Sequence, residues 1–332
     1  MDRYFLKIIM IGILFFSIIN NTFADETIGC PHDVGKGNVK IRLIMAPSLD
    51  ASKCYSDEVW KALRENSPYP MDYDKMVNLP EGWHYRESKI ALGIEYGIID
   101  RLSLGIFSIY DIVKDIRRQV WSEEENKPVW EEIKDNGPED IWISAKYLAL
   151  TKPPIWKEGL FLGIAYKPSI TSDEKIKHEI ASGTNDFKLA VSSHPHFTEY
   201  LFATGEIWYH HRGRVRDVDG FEKSGWNLGD KFGYWAFLGY EFLNHKFVVI
   251  SGLHGWVGQS DKDKNGKEVE DSDTYSHGIV IKFRWQPFGE EDAGSIMLLA
   301  RIQYANKTVF MPGPPSSLPM LWGMMKFNLL GK

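Results

Sequence analysis

The chain has 332 residues and a net charge of −6, with 43% hydrophobic and 25% charged residues. After the N-terminus no apolar run approaches the roughly 20 residues of a membrane-spanning helix, so a helical membrane bundle is excluded. A membrane β-barrel is not excluded, because only one side of each strand meets lipid and the loops are polar. The 12 Trp and 15 Tyr suit the aromatic girdles of such a barrel.

At the N-terminus Arg3 and Lys7 precede an apolar run, Ile8–Ile19, and Thr22 and Ala24 offer small side chains around a cleavage point after Ala24. That order is the signature of a secretory signal peptide, with an uncleaved anchor helix as the alternative. It divides the chain into a leader, 1–24, a periplasmic or plug-like segment, 25–36, and a barrel, 37–332.

Strands are predicted at 37–46, 84–96, 101–110, 139–150, 159–170, 183–193, 197–210, 230–242, 246–258, 273–286, 295–308 and 319–330. Each alternates. In the tenth, Tyr275, His277, Ile279, Ile281, Phe283 and Trp285 share one face, opposite Ser276, Gly278, Val280, Lys282, Arg284 and Gln286. Lengths of about 10 to 14 residues exceed the usual soluble strand of about 5 to 6. Short gaps (Gly97–Asp100, Thr151–Glu158, His194–His196, Leu243–His245, Phe288–Gly294) alternate with long ones (47–83, 111–138, 171–182, 211–229, 259–272, 309–318). Short periplasmic turns and long outer loops have this rhythm. The expectation is an all-β, closed antiparallel transmembrane β-barrel of about 12 strands in the outer membrane of a Gram-negative-type cell, with both termini periplasmic.

Several turns also resemble a known family. Asn78-Leu-Pro-Glu-Gly-Trp83 before a long strand, and Glu95-Tyr-Gly-Ile-Ile-Asp-Arg101 at the first hairpin, resemble the opening of the outer-membrane proteins grouped as the MetA-pathway of phenol degradation family. Gly137-Pro-Glu-Asp140 with Ala145-Lys-Tyr-Leu148, and Gly163–Thr171 with Ser182-Gly-Thr184, are similar to its next segments. Pro168-Ser169-Ile170 departs from the family's Pro-Thr/Ser-Gly strand end, and the chain closes on Phe327-Asn-Leu-Leu-Gly-Lys332 rather than a terminal aromatic residue. The resemblance covers roughly 80–210 and implies a transport barrel.

If the apolar faces meet lipid, the opposite faces line the lumen. That parity collects Lys89, Arg101, Lys146, Lys167, Lys188, Lys231, Lys282, Arg284, Arg301 and Lys307, with Lys40, Arg42 and Lys326. Fewer acids share it: Glu87, Glu95, Asp140, Asp186, Glu206 and Glu241. Basic rings favour anions in pores. Trp142, Trp208, Trp235, Trp256 and Trp322 have the same inward parity. Beside lysines they suit flat organic anions. The competing reading is that the charges pair and brace a closed barrel, as small barrels fill their interiors.

Asp261-Lys-Asp263-Lys-Asn265-Gly266 matches the first half of an EF-hand loop, so calcium is a candidate cofactor. Position twelve is Ser272 rather than Glu, and an acidic hairpin tip with an Asn-Gly turn is the alternative. Cys30 and Cys54 are the two cysteines, and a disulfide between them requires the N-terminal segment to thread the lumen. The pairs His194/His196 and His210/His211 fall at opposite strand ends, and no nucleophile-elbow or zinc-protease motif occurs. A lipid-modifying barrel enzyme and a structural or adhesive barrel remain alternatives to a pore. Expected partners are outer-membrane lipid, a small-molecule solute and the barrel-assembly machinery, and not nucleic acid.

Overall fold

A computed structural model describes residues 34–46, 53–71, 75–150, 159–270, 272–286, 295–307 and 320–328. The leader 1–24 and most of segment 25–36 lie outside the described residues. Strand β1 (Asn38–Ala46) is followed by β2 (Lys53–Tyr55) and β3 (Met76–Asn78), which pair only with each other. The wall continues through β4 (His84–Ile99), β5 (Leu102–Ser122), β6 (Lys127–Leu150), β7 (Leu160–Lys167), β8 (Asp186–Ser193) and β9 (Leu201–His211). It is completed by β10 (Lys231–Phe242), β11 (Phe247–Gly258), β12 (Thr274–Trp285), β13 (Ser295–Lys307) and β14 (Met320–Asn328). Each of these antiparallel strands pairs with the next, and β1 pairs with both β14 and β4, so the twelve-stranded sheet closes. Closure leaves no strand edge at membrane depth, where lipid cannot satisfy it.

Burial follows the alternation, with polarity inverted relative to a water-soluble sheet. Ile106 is 57% exposed while its neighbour Phe107 is 1% exposed, and the charged Lys40 and Arg42 are each 1% exposed. Leu92, Ile94, Leu104, Ile143, Leu162, Ile164, Leu189, Ile207, Leu238 and Leu253 form the outward apolar band. Aromatics rim it at both ends. Tyr96, Tyr147, Tyr240, Phe247 and Trp285 lie near the short turns, and Tyr110, Tyr166, Tyr209 and Phe232 near the long loops. An apolar belt between two aromatic girdles is the outer surface of a membrane barrel.

Two expected loops are structured. Segment 111–138 extends β5 and β6 into a hairpin whose turn is only 123–126. Its ladder sets Lys114 opposite Asp135, Asp115 opposite Lys134, Arg117 opposite Glu132 and Arg118 opposite Glu131. Opposite charges directly across an antiparallel pair stabilise it, and Ile116 and Ile133 are buried between them. Segment 47–83 holds β2, β3 and the helix Ser56–Leu63. It docks on that hairpin, where Arg64 pairs with Glu123 and stacks 4.4 Å from the Trp121 ring centroid. Cys54 is buried here beside Val59 and Val77, whereas Cys30 lies outside the described residues, and the expected disulfide with it.

The loops after β7 and β9 fold together at the long-loop end. Ile176, on the short helix Asp173–Lys177, packs with Val215, Val218 and Leu228. Lys175 and His178 both hold Asp135 of β6, and the Lys114 Nζ of β5 donates to the Glu179 carbonyl at 2.8 Å. These contacts make a cap anchored to the β5–β6 hairpin.

Candidate functional site

Inside the barrel the side chains form tiers. Nearest the short turns, Glu95 pairs with two cations, lying 3.3 Å from Arg42 and accepting from Lys146 at 3.0 Å. All three side chains are almost wholly buried. Above them Ile44, Phe107, Ile109, Trp142 and Trp208 form an apolar waist with Ala91, Ala165 and Ala190, and Trp256 packs against it. Toward the long loops, Lys89 sits between Glu139 at 2.6 Å, Glu87 at 3.3 Å and Asp111 at 3.6 Å. Beside it Lys167 bridges Asp140 at 2.9 Å and Asp186 at 2.7 Å, and His210 meets Asp186 at 2.9 Å. Ion pairs in these tiers brace the wall from β1 and β4 to β9.

The other wall is built differently. The Lys231 Nζ lies 4.2 Å from the Trp256 ring centroid, Lys282 4.4 Å from Phe237 and Lys188 4.5 Å from Trp208. On the ion-paired wall one longer contact of this kind occurs, Lys167 to Trp142 at 5.6 Å. Such contacts contribute about 0.5 to 2 kcal/mol each, more when desolvated. Trp235 stacks on Phe237 with ring centroids 5.2 Å apart. Glycines on neighbouring strands make room for these rings. A Cβ at Gly233 would overlap the Trp208 ring, one at Gly239 the Phe202 ring, and one at Gly252 the Phe237 ring. In each case the glycine is the direct cross-strand partner of the aromatic residue. The rings therefore lie over glycine backbone on the wall, as in aromatic cover of glycine in sheets.

Most of the inward set is located as its alternation implies. Lys89, Lys146, Lys167, Lys188, Lys231, Lys282 and Arg284 all lie on the inner face, and Arg284 approaches Glu241 at 3.8 Å. One member needs correction. Arg101 is exposed in the turn between β4 and β5 rather than on the lumen wall, because β4 runs to Ile99 and only the turn's two residues remain. Lys307 pairs with Tyr275 beyond a bulge at His277/Gly278 in the β12–β13 register, and its side chain is outside the described residues. Arg301 pairs with Val280, and Trp322 with Ile44 and Met297, all inward rows; their own side chains are outside the described residues.

The residues of the calcium expectation lie in the hairpin tip after β11. Asp261 accepts from the Gly229 N–H at 2.7 Å and faces Arg212. Asp263 accepts from the N–H groups of Lys267 and Asn265, which hold its carboxyl below the usual range. Gly266, at φ +81°, closes that turn. Among the described residues no three His, Cys, Asp or Glu converge as metal ligands, and Asp261 and Asp263 accept backbone N–H groups of the hairpin tip.

The histidine pairs stand at opposite ends. His194 and His196 lie 4.9 Å apart after β8, while His210 is held by Asp186 and His211 by Asp230 beyond the other end of β9. Near the mouth, burial would raise the Asp230 carboxyl, but the Tyr209 hydroxyl, the Arg212 N–H and His211 hold it below the usual range. Burial acts likewise on Glu179 of the cap, and Lys223, Arg118 and Lys114 hold it down.

The sequence reading missed Asp111 and Lys114, both buried and inward-facing, because 111–138 reads as a loop. The signal was there: the charges of 114–118 find their opposites in 131–135 when the segment is folded back on itself. It also missed the glycine seats, although Gly233 and Gly239 share the inward parity of Trp235 and Phe237.

An apolar outer belt, two aromatic girdles and a charged, aromatic interior define an outer-membrane β-barrel of porin-like build. No family model matches the chain, and no curated protein matches it. Among solved structures it is similar to the COG4313 outer membrane channel from Pseudomonas putida F1. That match has 10% identity and a TM-score of 0.60, covering 88% of this chain and 96% of that one. The likeness shows the fold alone. The NanC porin (9% identity, TM-score 0.43, covering 86% of this chain and 98% of that one) is more distant. So is the Ralstonia pickettii toluene transporter TbuX (8% identity, TM-score 0.43, covering 93% of each chain). Neither carries an argument.

Proposed function

We propose that this barrel is an outer-membrane channel for small organic solutes, with a preference for flat, aromatic anions. One observation carries the reading: lysine ammonium groups stand over Trp208, Trp256 and Phe237 on one continuous inner wall. Cations supply the attraction for an anion, and rings folded over glycine offer an apolar surface for its body. The resemblance at 80–210 supports membership of the MetA-pathway of phenol degradation family, whose described members are transport barrels. Short turns at one end support a periplasmic address for that end and both termini, with 1–24 as the leader and 25–36 leading into the barrel. Outer-membrane lipid and the assembly machinery then follow as partners. Liposome swelling tests the solute: benzoate is expected to permeate faster than benzylamine. Equal or reversed rates overturn the preference.

A second reading, a closed structural or adhesive barrel, is favoured by the Arg42–Glu95–Lys146 tier, in which every charge is buried and paired. It gives no permeation of either solute.

A further inference from the structure

The waist contains a polar atom that the packing leaves without a partner. Trp208 is 3% exposed, and its Nε1 is buried with no hydrogen-bond acceptor among the described residues. A buried indole N–H ordinarily finds an acceptor, and leaving a buried donor unmade costs about 1 to 3 kcal/mol. Three surrounding features suit that N–H to an incoming acceptor. The indole edge next to Nε1 packs directly over Gly233, which fixes the ring and the direction of its N–H. The Lys188 ammonium lies 4.5 Å from the ring centroid, adding positive potential. Gly233 is the cross-strand partner of both Trp208 and Trp256, so a second indole, carrying Lys231 at 4.2 Å, stands on the far side of the same glycine.

We infer that the Trp208–Gly233–Trp256 row is a binding subsite for an aromatic carboxylate. The Trp208 Nε1–H donates to a carboxylate oxygen, Lys188 and Lys231 supply the field, and the solute's ring lies against the apolar waist. Trp208 is thereby a specificity-determining residue, separating carboxylates from neutral aromatics of the same shape. This rests on the channel reading above and narrows it to one atom.

The test uses the full barrel in planar bilayers, with benzoate and benzyl alcohol as probes of current block. Wild type is expected to be blocked by benzoate at a lower concentration than by benzyl alcohol. Trp208→Phe keeps a ring on Gly233 and removes the donor. It is expected to weaken benzoate block about tenfold, the equivalent of about 1.4 kcal/mol, and to leave benzyl alcohol unchanged. Lys188→Met is expected to weaken benzoate block further while preserving the fold, checked by heat-modifiable electrophoretic mobility. If wild type shows no current, the channel reading itself fails. If benzoate blocks wild type and Trp208→Phe equally, the channel reading stands and the subsite is overturned. A loss for both probes in a correctly folded Trp208→Phe barrel also overturns it, because it makes the indole a wall element and not a carboxylate donor.

Discussion

The two halves of the inner wall solve one problem in opposite ways. From β1 and β4 to β8, buried charges are neutralised by other charges: Arg42 and Lys146 by Glu95, Lys89 by three carboxylates, Lys167 by two. From β9 to β12, lysines lie over rings, and the rings lie over glycines. Carboxylate pairing cancels the field locally. An aromatic face holds a cation without cancelling its charge, and on the second wall such contacts stand beside the Arg284–Glu241 pair. The first half is a brace, and the second is a lining.

If that contrast holds, mutations on the two walls fail differently. The largest effect belongs to the brace. Glu95→Ala leaves Arg42 and Lys146 buried without their carboxylate and is expected to destabilise the barrel by about 3 to 5 kcal/mol, read by urea unfolding in detergent. A change under 1 kcal/mol makes Glu95 part of the lining. Next comes the seat of the rings. Gly233→Val places a side chain where the Trp208 ring lies, and overpacking of this kind costs about 1 to 3 kcal/mol. The displaced indole is expected to lower single-channel conductance, and unchanged conductance contradicts the seating of the ring on the wall. Smaller again is Lys231→Met, which removes one cation–ring contact worth about 0.5 to 2 kcal/mol. It is expected to shift the reversal potential away from anions with little loss of stability. The same substitution at Lys89 is expected to do the reverse, destabilising the fold and sparing selectivity.

The smallest effect concerns the cap. Glu179 is held below its ordinary value of 4.5, so its folded form binds a proton less readily than its unfolded form. Its contribution is full above the ordinary value and is lost as pH falls through the lowered one. Trp226, packed on the cap's core, is expected to report local loosening by fluorescence only below that ordinary value of 4.5. Loosening near neutrality would remove Glu179 from the cap's anchors.

How much of this was legible depended on whether a local pattern or a long-range pairing carried it. The alternation of Leu92, Ile94 and Tyr96 against Gly93 and Glu95 locates β4 and its lipid face without further information. The inward parity of Trp208, Lys188 and Lys231 was legible for the same reason. The hairpin at 111–138 was not, because its apolar positions are diluted by charge; only the reversed match of Lys114-Asp115 with Lys134-Asp135 betrays it. The β12–β13 register shift at His277/Gly278 was not legible because a bulge is invisible to a strict period of two. The Asp-x-Asp-x-Asn-Gly pattern has two readings in the sequence because Asp263 at a turn satisfies backbone N–H groups as readily as it would a metal. The seating of Trp208 on Gly233 needs the register between β9 and β10, which no single strand contains.

The wall contrast is tested most directly by the reversal potential of the purified barrel in a planar bilayer under a potassium chloride gradient. A positive lining predicts a measurable conductance with chloride more permeant than potassium. A cation preference, or a barrel that inserts and passes no current, contradicts it.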